Sequence, residues 1–164
     1  INKIDSGPSI QLSAVKNLYG DGITRYIGAN HTNTLSDPYW PHEAVYVFNA
    51  PERTTDFWER IIITEEIFSK KSPMLGKMGA PGVFDTGDVD GDGDIDIIVS
   101  GDGDSRILFL EQIEKGIFAT NVIDDGNVGQ AGIKVADLTG DGIPEVIVSS
   151  YDANAVFVYE VDKK

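Results

Sequence analysis

A short acidic loop that recurs three times, each time followed by an apolar run, constrains the fold of this chain more than any other feature. The loop centres on a Gly-Asp-Gly tripeptide at residues 20–22, 91–93 and 140–142. The segments that begin at Gly87 and Ala136 both continue as an apolar run, a polar turn and a second apolar run. A weaker copy begins at Lys16 and resumes its second apolar run at Glu43. Internal similarity of this kind is the signature of a repeat architecture, so the chain is predicted to consist of repeated units.

The repeated unit is predicted to contain four β-strands, which we label A to D in chain order. Its apolar runs are short, rich in Val, Ile, Phe and Tyr, and bounded by Gly, Asp and Asn, as strands are. The opening segment 1–7 matches the D strand of the second unit, "FATNVIDDG". The chain therefore begins with a D strand, continues through two A-to-D sets and ends after an A-to-C set. We find no convincing amphipathic helix.

This order predicts an all-β fold: a β-propeller made of four-stranded antiparallel blades, with about three blades in this chain. We expect one propeller segment over 1–164, with repeats at about 8–68, 82–125 and 130–162 and with residues 1–7 as an outer D strand. Known propellers have four or more blades, so three blades do not close a ring. The segment is therefore expected to be part of a larger propeller or to join a second chain.

The loop of the second copy has the charge pattern of a site for a divalent cation. In "DVDGDGDID", carboxylates stand at positions 1, 3, 5 and 9, which are Asp88, Asp90, Asp92 and Asp96. Gly93 permits a positive φ at position 6, and Asp94 would offer its backbone carbonyl at position 7. Such a set of oxygens suits Ca²⁺, whereas Mg²⁺ requires a stricter octahedron and Zn²⁺ prefers His or Cys. We predict one Ca²⁺ ion here; the alternative is an acidic β-turn without a metal.

An EF-hand shares the opening of this loop but is not compatible with the rest of it. An EF-hand carries a Glu at position 12 and a helix on either side. Position 12 here is Val99, inside the apolar run "IDIIVS". The loop is therefore predicted to lead directly into a strand.

The loops of the third and first copies depart from this pattern in different ways. The third, "DLTGDGIPE", would offer Asp137, Thr139, Asp141, the carbonyl of Ile143, and Glu145. A hydroxyl replaces a carboxylate at position 3, so we expect either a second, weaker Ca²⁺ site or an empty loop. The first copy has Asn17 and Tyr19 at positions 1 and 3, and Arg25 where the last carboxylate belongs. We expect no calcium there, and pairing of Arg25 with Asp21 instead.

The acidic loop followed directly by a strand, "DVDGDGDIDIIVSG", resembles the calcium loop of FG-GAP/VCBS repeats. This family occurs in integrin α-subunit propellers and in many bacterial secreted proteins. The resemblance covers essentially the whole chain, strongly in the second and third copies and faintly in the first. It implies structural calcium in the A–B loops of an extracellular, periplasmic or cell-surface protein. Such a protein would work in adhesion or ligand binding, with a protein or a carbohydrate as its partner.

Composition excludes several classes of partner. The formal net charge of −14 repels nucleic acids and anionic membrane surfaces. Cysteine is absent, so no disulfide or thiolate metal site contributes, and no apolar run is long enough to span a membrane. The chain opens at Ile1 without an initiator Met or a signal peptide, so we expect a processed or excised piece of a longer protein.

Two insertions in the first copy, residues 29–43 and 69–82, form the expected recognition surface. They join B to C and D to A, so in a blade they lie on the face opposite the calcium loops. Long loops on a rigid scaffold commonly carry recognition. The candidate ligand-binding residues are Tyr39, Trp40, His42, Lys70 and Lys77. Aromatic rings beside polar groups suit a sugar or a protein partner; the alternative is that both rings only cover the neighbouring blade.

The sequence contains no recognisable catalytic set. The two histidines, His31 and His42, are the candidates for acid–base chemistry, but nothing fixes their geometry. Our primary hypothesis is therefore a binding module and not an enzyme. A second hypothesis is the propeller part of a sugar-active enzyme, because similar repeats occur in rhamnogalacturonan lyases and in fungal aldos-2-ulose dehydratase. A third is an architectural subunit whose open sheet edges pair with other chains.

Overall fold

The computed structural model describes residues 11–29, 44–67, 71–72, 76–77, 82–101, 103–126 and 128–162. Within these ranges the chain forms thirteen β-strands and no helix. The described residues accordingly include no helix with the length and apolar character needed to cross a membrane.

The strands form three main sheets and one short hairpin. The first sheet contains β1 Gln11–Lys16, β2 Thr24–Ala29, β3 Val45–Asn49 and β4 Glu59–Thr64. The hairpin contains β5 Lys71–Ser72 and β6 Gly76–Lys77. The second sheet contains β7 Phe84–Gly87, β8 Asp96–Ser100, β9 Arg106–Glu114 and β10 Ile117–Asp125. The third sheet contains β11 Ala131–Ala136, β12 Glu145–Ser150 and β13 Ala155–Tyr159.

Each main sheet is an antiparallel meander in which strands pair in chain order. The first two sheets have the four strands A to D that the repeats predict, and the third has strands A to C. The prediction of an all-β chain built from blade-like antiparallel sheets is therefore confirmed. The D strand predicted at residues 1–7 lies outside the described residues. The hairpin β5–β6 falls in the second insertion, where no strand was predicted.

The second sheet is buried on both faces, which explains the uninterrupted apolar run of β8. Ile97 and Val99 belong to a core that the second sheet shares with the first, where Val47 is a member. Ile98 belongs to a separate core that the second sheet shares with the third, where Val146 is a member. Successive residues of a strand point to opposite faces, so a strand between two sheets requires apolar side chains at every position.

Side chains of the innermost strands key each sheet to the next. The amide of Gln11 in β1 makes two bonds with the backbone of Phe84 in β7, because Nε2 donates to the carbonyl at 3.1 Å and Oε1 accepts from the N–H at 2.9 Å. Asp85 in β7 accepts from the backbone N–H of Val135 in β11 at 2.9 Å and pairs with Lys134 at 2.6 Å. These contacts stack the sheets in chain order, with the second between the first and the third.

Candidate metal centre

The candidate metal centre is the loop between β7 and β8. Residues 88–95 reverse the chain between two antiparallel neighbours, and two glycines make the reversal possible. Gly91 has a φ of 76° and Gly93 a φ of 99°, a region that residues with a Cβ rarely adopt. The glycines at the equivalent positions of the other two loops also have positive φ, namely Gly20, Gly22, Gly140 and Gly142. The three loops therefore share one backbone path.

Carboxylates inside the loop accept its own backbone N–H groups. The N–H of Gly93 donates to Oδ2 of Asp88 at 3.0 Å. The N–H of Asp92 donates to Oδ1 of Asp90 at 3.3 Å, and the N–H of Asp94 donates to Oδ1 of Asp92 at 2.9 Å. These bonds draw the first carboxylates inward and satisfy donors that a tight loop would otherwise leave without partners.

Asp96, the first residue of β8, is fully buried. Its Oδ2 accepts from the N–H of Val89 at 3.2 Å, and its Oδ1 accepts from the N–H of Gln112 in β9 at 2.9 Å. Burial raises the pKa of this carboxyl to about 7 even though both hydrogen bonds lower it, and the charges of Asp90 and Asp92 raise it further. A buried carboxylate under this strain gains when a cation comes within reach.

Three of the predicted ligands converge at this point. Asp88, Asp90 and Asp96 each offer a carboxylate oxygen, and these oxygens lie within 4.8 Å of one another. Oδ1 of Asp88 is buried and receives no hydrogen bond, so this acceptor is available to an ion. The sequence contains no Lys or Arg between residues 78 and 105. The donor set therefore fits a divalent cation that binds oxygen.

The remaining predicted ligands of this loop lie at its solvent side. Asp92 is exposed and does not belong to the convergent set that the described residues form. The side chain of Asp94 is half-buried, and its predicted contribution was the backbone carbonyl. Both remain predicted ligands, since an ion reached from the buried side could still take oxygens from the open side of the loop.

The third loop repeats the hydrogen bonds of the second without the same convergence. The N–H of Gly142 donates to Oδ2 of Asp137 at 3.0 Å, and the N–H of Leu138 donates to the buried Glu145 at 2.7 Å. Oδ1 of Asp137 also accepts, from Gly140 at 2.6 Å. Three other members of the predicted set, Thr139, Asp141 and Ile143, lie in the same loop. Within the described part of the chain, acidic oxygens approach within 4.8 Å only in the second loop.

The first loop carries a guanidinium beside its aspartate, as predicted. Arg25 binds Asp21 through two parallel hydrogen bonds of 2.8 Å. The same group donates to Asn49 at 3.0 Å and lies 4.0 Å from the ring centroid of Tyr19. The hydrogen bond from Arg25 holds the pKa of Asp21 well below its usual range. Lys115, from the turn between β9 and β10, adds a second ion pair to Asp21 at 3.1 Å.

Two features of the site were not anticipated from the sequence. Gln112 supplies its backbone N–H to Asp96, while its side-chain amide donates to the carbonyl of Leu18 beside the first loop at 2.9 Å. A cleft of about 220 Å³ also lies beside the third loop, where Glu160 and Asp162 join that loop and Val89 in the lining. Neither feature has a local sequence signal, because strand register and the path after β13 bring these residues close.

The predicted ligand face lies almost entirely outside the described residues. This applies to His31, Tyr39, Trp40, His42 and Lys70. Lys77 is described only as a backbone position of β6. The binding and catalytic roles considered for these residues therefore remain predictions.

Comparison with known proteins agrees with the loop-and-strand architecture. A family model described as FG-GAP-like repeat matches residues 88–148, from the first aspartate of the acidic loop into β12. No curated protein and no solved structure matches the chain. The matched residues span the second acidic loop, the rest of the second sheet and the first two strands of the third. Residues 88–148 therefore belong to the FG-GAP-like repeat family, as the resemblance of the acidic loop predicted.

Proposed function

We propose that this chain is a calcium-binding β-propeller module in which Ca²⁺ is a structural ion of the A–B loops. The observation that carries the proposal is the convergence of Asp88, Asp90 and Asp96, of which Asp96 is fully buried. Three carboxylates this close repel one another unless a cation lies between them. The family match supports the propeller-type architecture, because FG-GAP-like repeats form blades of this kind.

The comparison of the three loops supports a metal in the second. In the first loop the chain supplies its own cation, Arg25, directly to the loop aspartate. In the second loop the corresponding residue is Asp96, which adds a negative charge where the first loop has a positive one. An ion from solution would restore the balance there. Calcium suits the mixture of carboxylates and a carbonyl better than magnesium, which demands a strict octahedron.

The ion would act on the packing of sheets as well as on its own loop. Asp96 is bonded to the backbone of Gln112, and the side chain of Gln112 reaches the carbonyl of Leu18 in the preceding unit. A cation that holds Asp96 in place would therefore also support the contact between the first two sheets. An ion that binds only the folded state adds about 2.7 kcal/mol when present at about 100 times its Kd.

The experiment is a calcium titration of thermal unfolding, combined with calorimetry to count the ions. We expect Asp88→Asn to abolish the main calcium-dependent rise in Tm, and Asp137→Asn to remove at most a second, weaker phase. Asp56→Asn is the matched control, since Asp56 is exposed in a turn that is not part of an acidic loop. A wild-type protein whose Tm is the same in millimolar calcium and in excess chelator would refute the proposal.

We also propose an extracellular, periplasmic or cell-surface location, with a protein or carbohydrate partner bound at the face of the two insertions. The support is the resemblance of the acidic loop, together with calcium concentrations outside cells that match weak loop sites. A glycan array with Trp40→Ala and His42→Ala variants tests the partner. Binding lost with Trp40 alone supports a recognition module. Turnover of a sugar polymer that is abolished by His42→Ala would instead identify a sugar-active enzyme.

A further inference from the structure

The third sheet differs from the other two at its outer edge. In the first two sheets the C strand pairs with a D strand, β4 or β10. In the third sheet the C strand β13 is the last, and no strand in the described part of the chain pairs with its outer edge. An open edge exposes a row of backbone donors and acceptors that can pair with another strand.

One face of β13 is exposed at positions that are buried in the second sheet. The pairing register makes Val158 the equivalent of Phe109, because they lie opposite Ile147 and Ile98 respectively. Val158 is 54% exposed, whereas Phe109 is 5% exposed. The next equivalent on this face, Val156, is 66% exposed. The third sheet therefore presents an uncovered edge and an uncovered apolar face at the same strand.

The sequence of this chain contains a segment of the right kind to fill the edge. Residues 2–7, "NKIDSG", share Asn, Ile, Asp and Gly with residues 121–126, "NVIDDG". Residues 121–125 form the second half of β10, which is the D strand of the second sheet. Residues 1–7 therefore have the sequence of a D strand that would pair with a C strand such as β13.

The connection to β1 places this segment in the sheet that precedes the first. The D strand β10 is joined to the A strand β11 of the following sheet by residues 126–130. Residues 8–10 are the corresponding link to β1, and three residues span at most about 10 Å. The third sheet lies beyond the second, at roughly two sheet spacings of about 10 Å each. Residues 1–7 are therefore poorly placed to reach β13 of their own chain.

We propose that the outer edge of β13 is paired by residues 1–7 of a second copy of this chain. The inference rests on the repeat architecture in the proposed function, but not on calcium binding. In such a pair the third sheet of one copy precedes the first sheet of the other, and Val156 and Val158 become covered. The contact is reciprocal, so two copies fill both edges and form a closed assembly.

The register of the exchanged strand follows from β10. Asp124 pairs with Ile107, and Asn121 pairs with Phe109. The equivalent pairs across the interface are Asp5 with Val156 and Asn2 with Val158. Both valines are exposed, so substitution there leaves the cores intact.

The test uses single-cysteine variants, which are clean because the chain contains no cysteine. The variants Asp5→Cys and Val156→Cys are mixed and oxidised, as are Asn2→Cys and Val158→Cys, because opposite residues alternate between close and wide spacing. The control mixes Asp5→Cys with Phe57→Cys, since Phe57 is 84% exposed in a turn of the first sheet. We expect the mixed disulfide of at least one paired set to form about tenfold faster than the control, because pairing raises the local thiol concentration.

Light scattering of the unmodified chain gives the second readout, with a dimer mass expected at micromolar concentration. A monomer mass, or mixed disulfides no faster than the Phe57 control, overturns the proposal. A cross-link within one chain of the double variant Asp5→Cys/Val156→Cys also overturns it, because the strand would then pair within its own chain. Calcium-dependent melting is measured separately, so failure of the dimer is distinguishable from failure of the metal site.

Discussion

The buried carboxyl of Asp96 makes the stability of this chain depend on pH and calcium together, in a direction that its surroundings determine. Its pKa is raised to about 7 by burial, against about 3.9 for Asp in an unfolded chain. Between these two values the folded state holds a proton that the unfolded state has released. Stability falls with pH wherever the folded state binds more protons. Without calcium, the free energy of unfolding should therefore decrease as the pH rises from about 4 to about 7.

The size of the decrease follows from the shift and from the exposure of the loop. A shift of about three pKa units corresponds to roughly 4 kcal/mol of unfavourable charging. The adjacent Asp92 and Gly93 are open to solvent, and screening by water lowers this figure, so we expect a loss of about 2–3 kcal/mol. Calcium removes the loss because it favours the carboxylate over the acid. Binding below about pH 7 should then release close to one proton per ion.

Urea denaturation across this pH range, in millimolar calcium and in excess chelator, measures both effects. The difference between the two conditions isolates Asp96 and its neighbours, since groups away from the ion contribute equally to both. The pKa of Asp21 lies well below its usual range because of Arg25. That carboxylate stabilises the fold above about pH 4, and this contribution is lost in both conditions as the pH falls further. A curve in chelator that stays flat or rises between pH 4 and 7 would refute the account of Asp96.

Three further substitutions test the parts of the structure that do not depend on the ion. Arg25→Met should lower the free energy of unfolding by about 1–3 kcal/mol, because it removes a fork to Asp21 and a ring contact; urea denaturation measures this, and Arg25→Lys should recover only part. Gly93→Ala should cost about 1–2 kcal/mol and weaken calcium binding because its φ is 99°, whereas Gly132→Ala, with open space and no positive φ, should be neutral in the same titration. Gln112→Leu should cost about 2–4 kcal/mol in thermal unfolding, because it leaves buried backbone groups of two sheets without partners; a loss below 1 kcal/mol would contradict its role as a link between sheets.

The order of strands could be predicted from the sequence because each unit repeats the same succession of loop and apolar run. Register and burial then follow from the alternation of side chains, as in β8, where both faces are apolar. The hairpin β5–β6 could not be predicted, since its segment contains Pro73, Gly76 and several lysines and has no strand pattern. Two-residue strands of this kind depend on neighbouring chain segments rather than on their own residues.

The acidic site was predictable in position but not in its internal division of roles. Spacing alone gives Asp88, Asp90, Asp92 and Asp96 the same standing. Burial separates them, because Asp96 lies at the start of an interior strand while Asp92 lies at the tip of the loop. The contribution of Gln112 is invisible in the sequence for a similar reason. It lies sixteen residues beyond Asp96, and only the pairing of β8 with β9 brings its N–H to the carboxylate.

The three loops together indicate that hydrogen bonds define the path of the loop and that the charge at its last position decides what neutralises it. In every copy the N–H at position 6 donates to the side chain at position 1, from Gly22, Gly93 and Gly142. A loop that is already formed loses little conformational entropy when an ion binds. Affinity should then depend on the charge and burial of the ligands. The second loop has three converging carboxylates, whereas Asp137 of the third is exposed and both its oxygens already accept N–H groups. The second loop should therefore fill first in a calcium titration, and the third only at higher concentration.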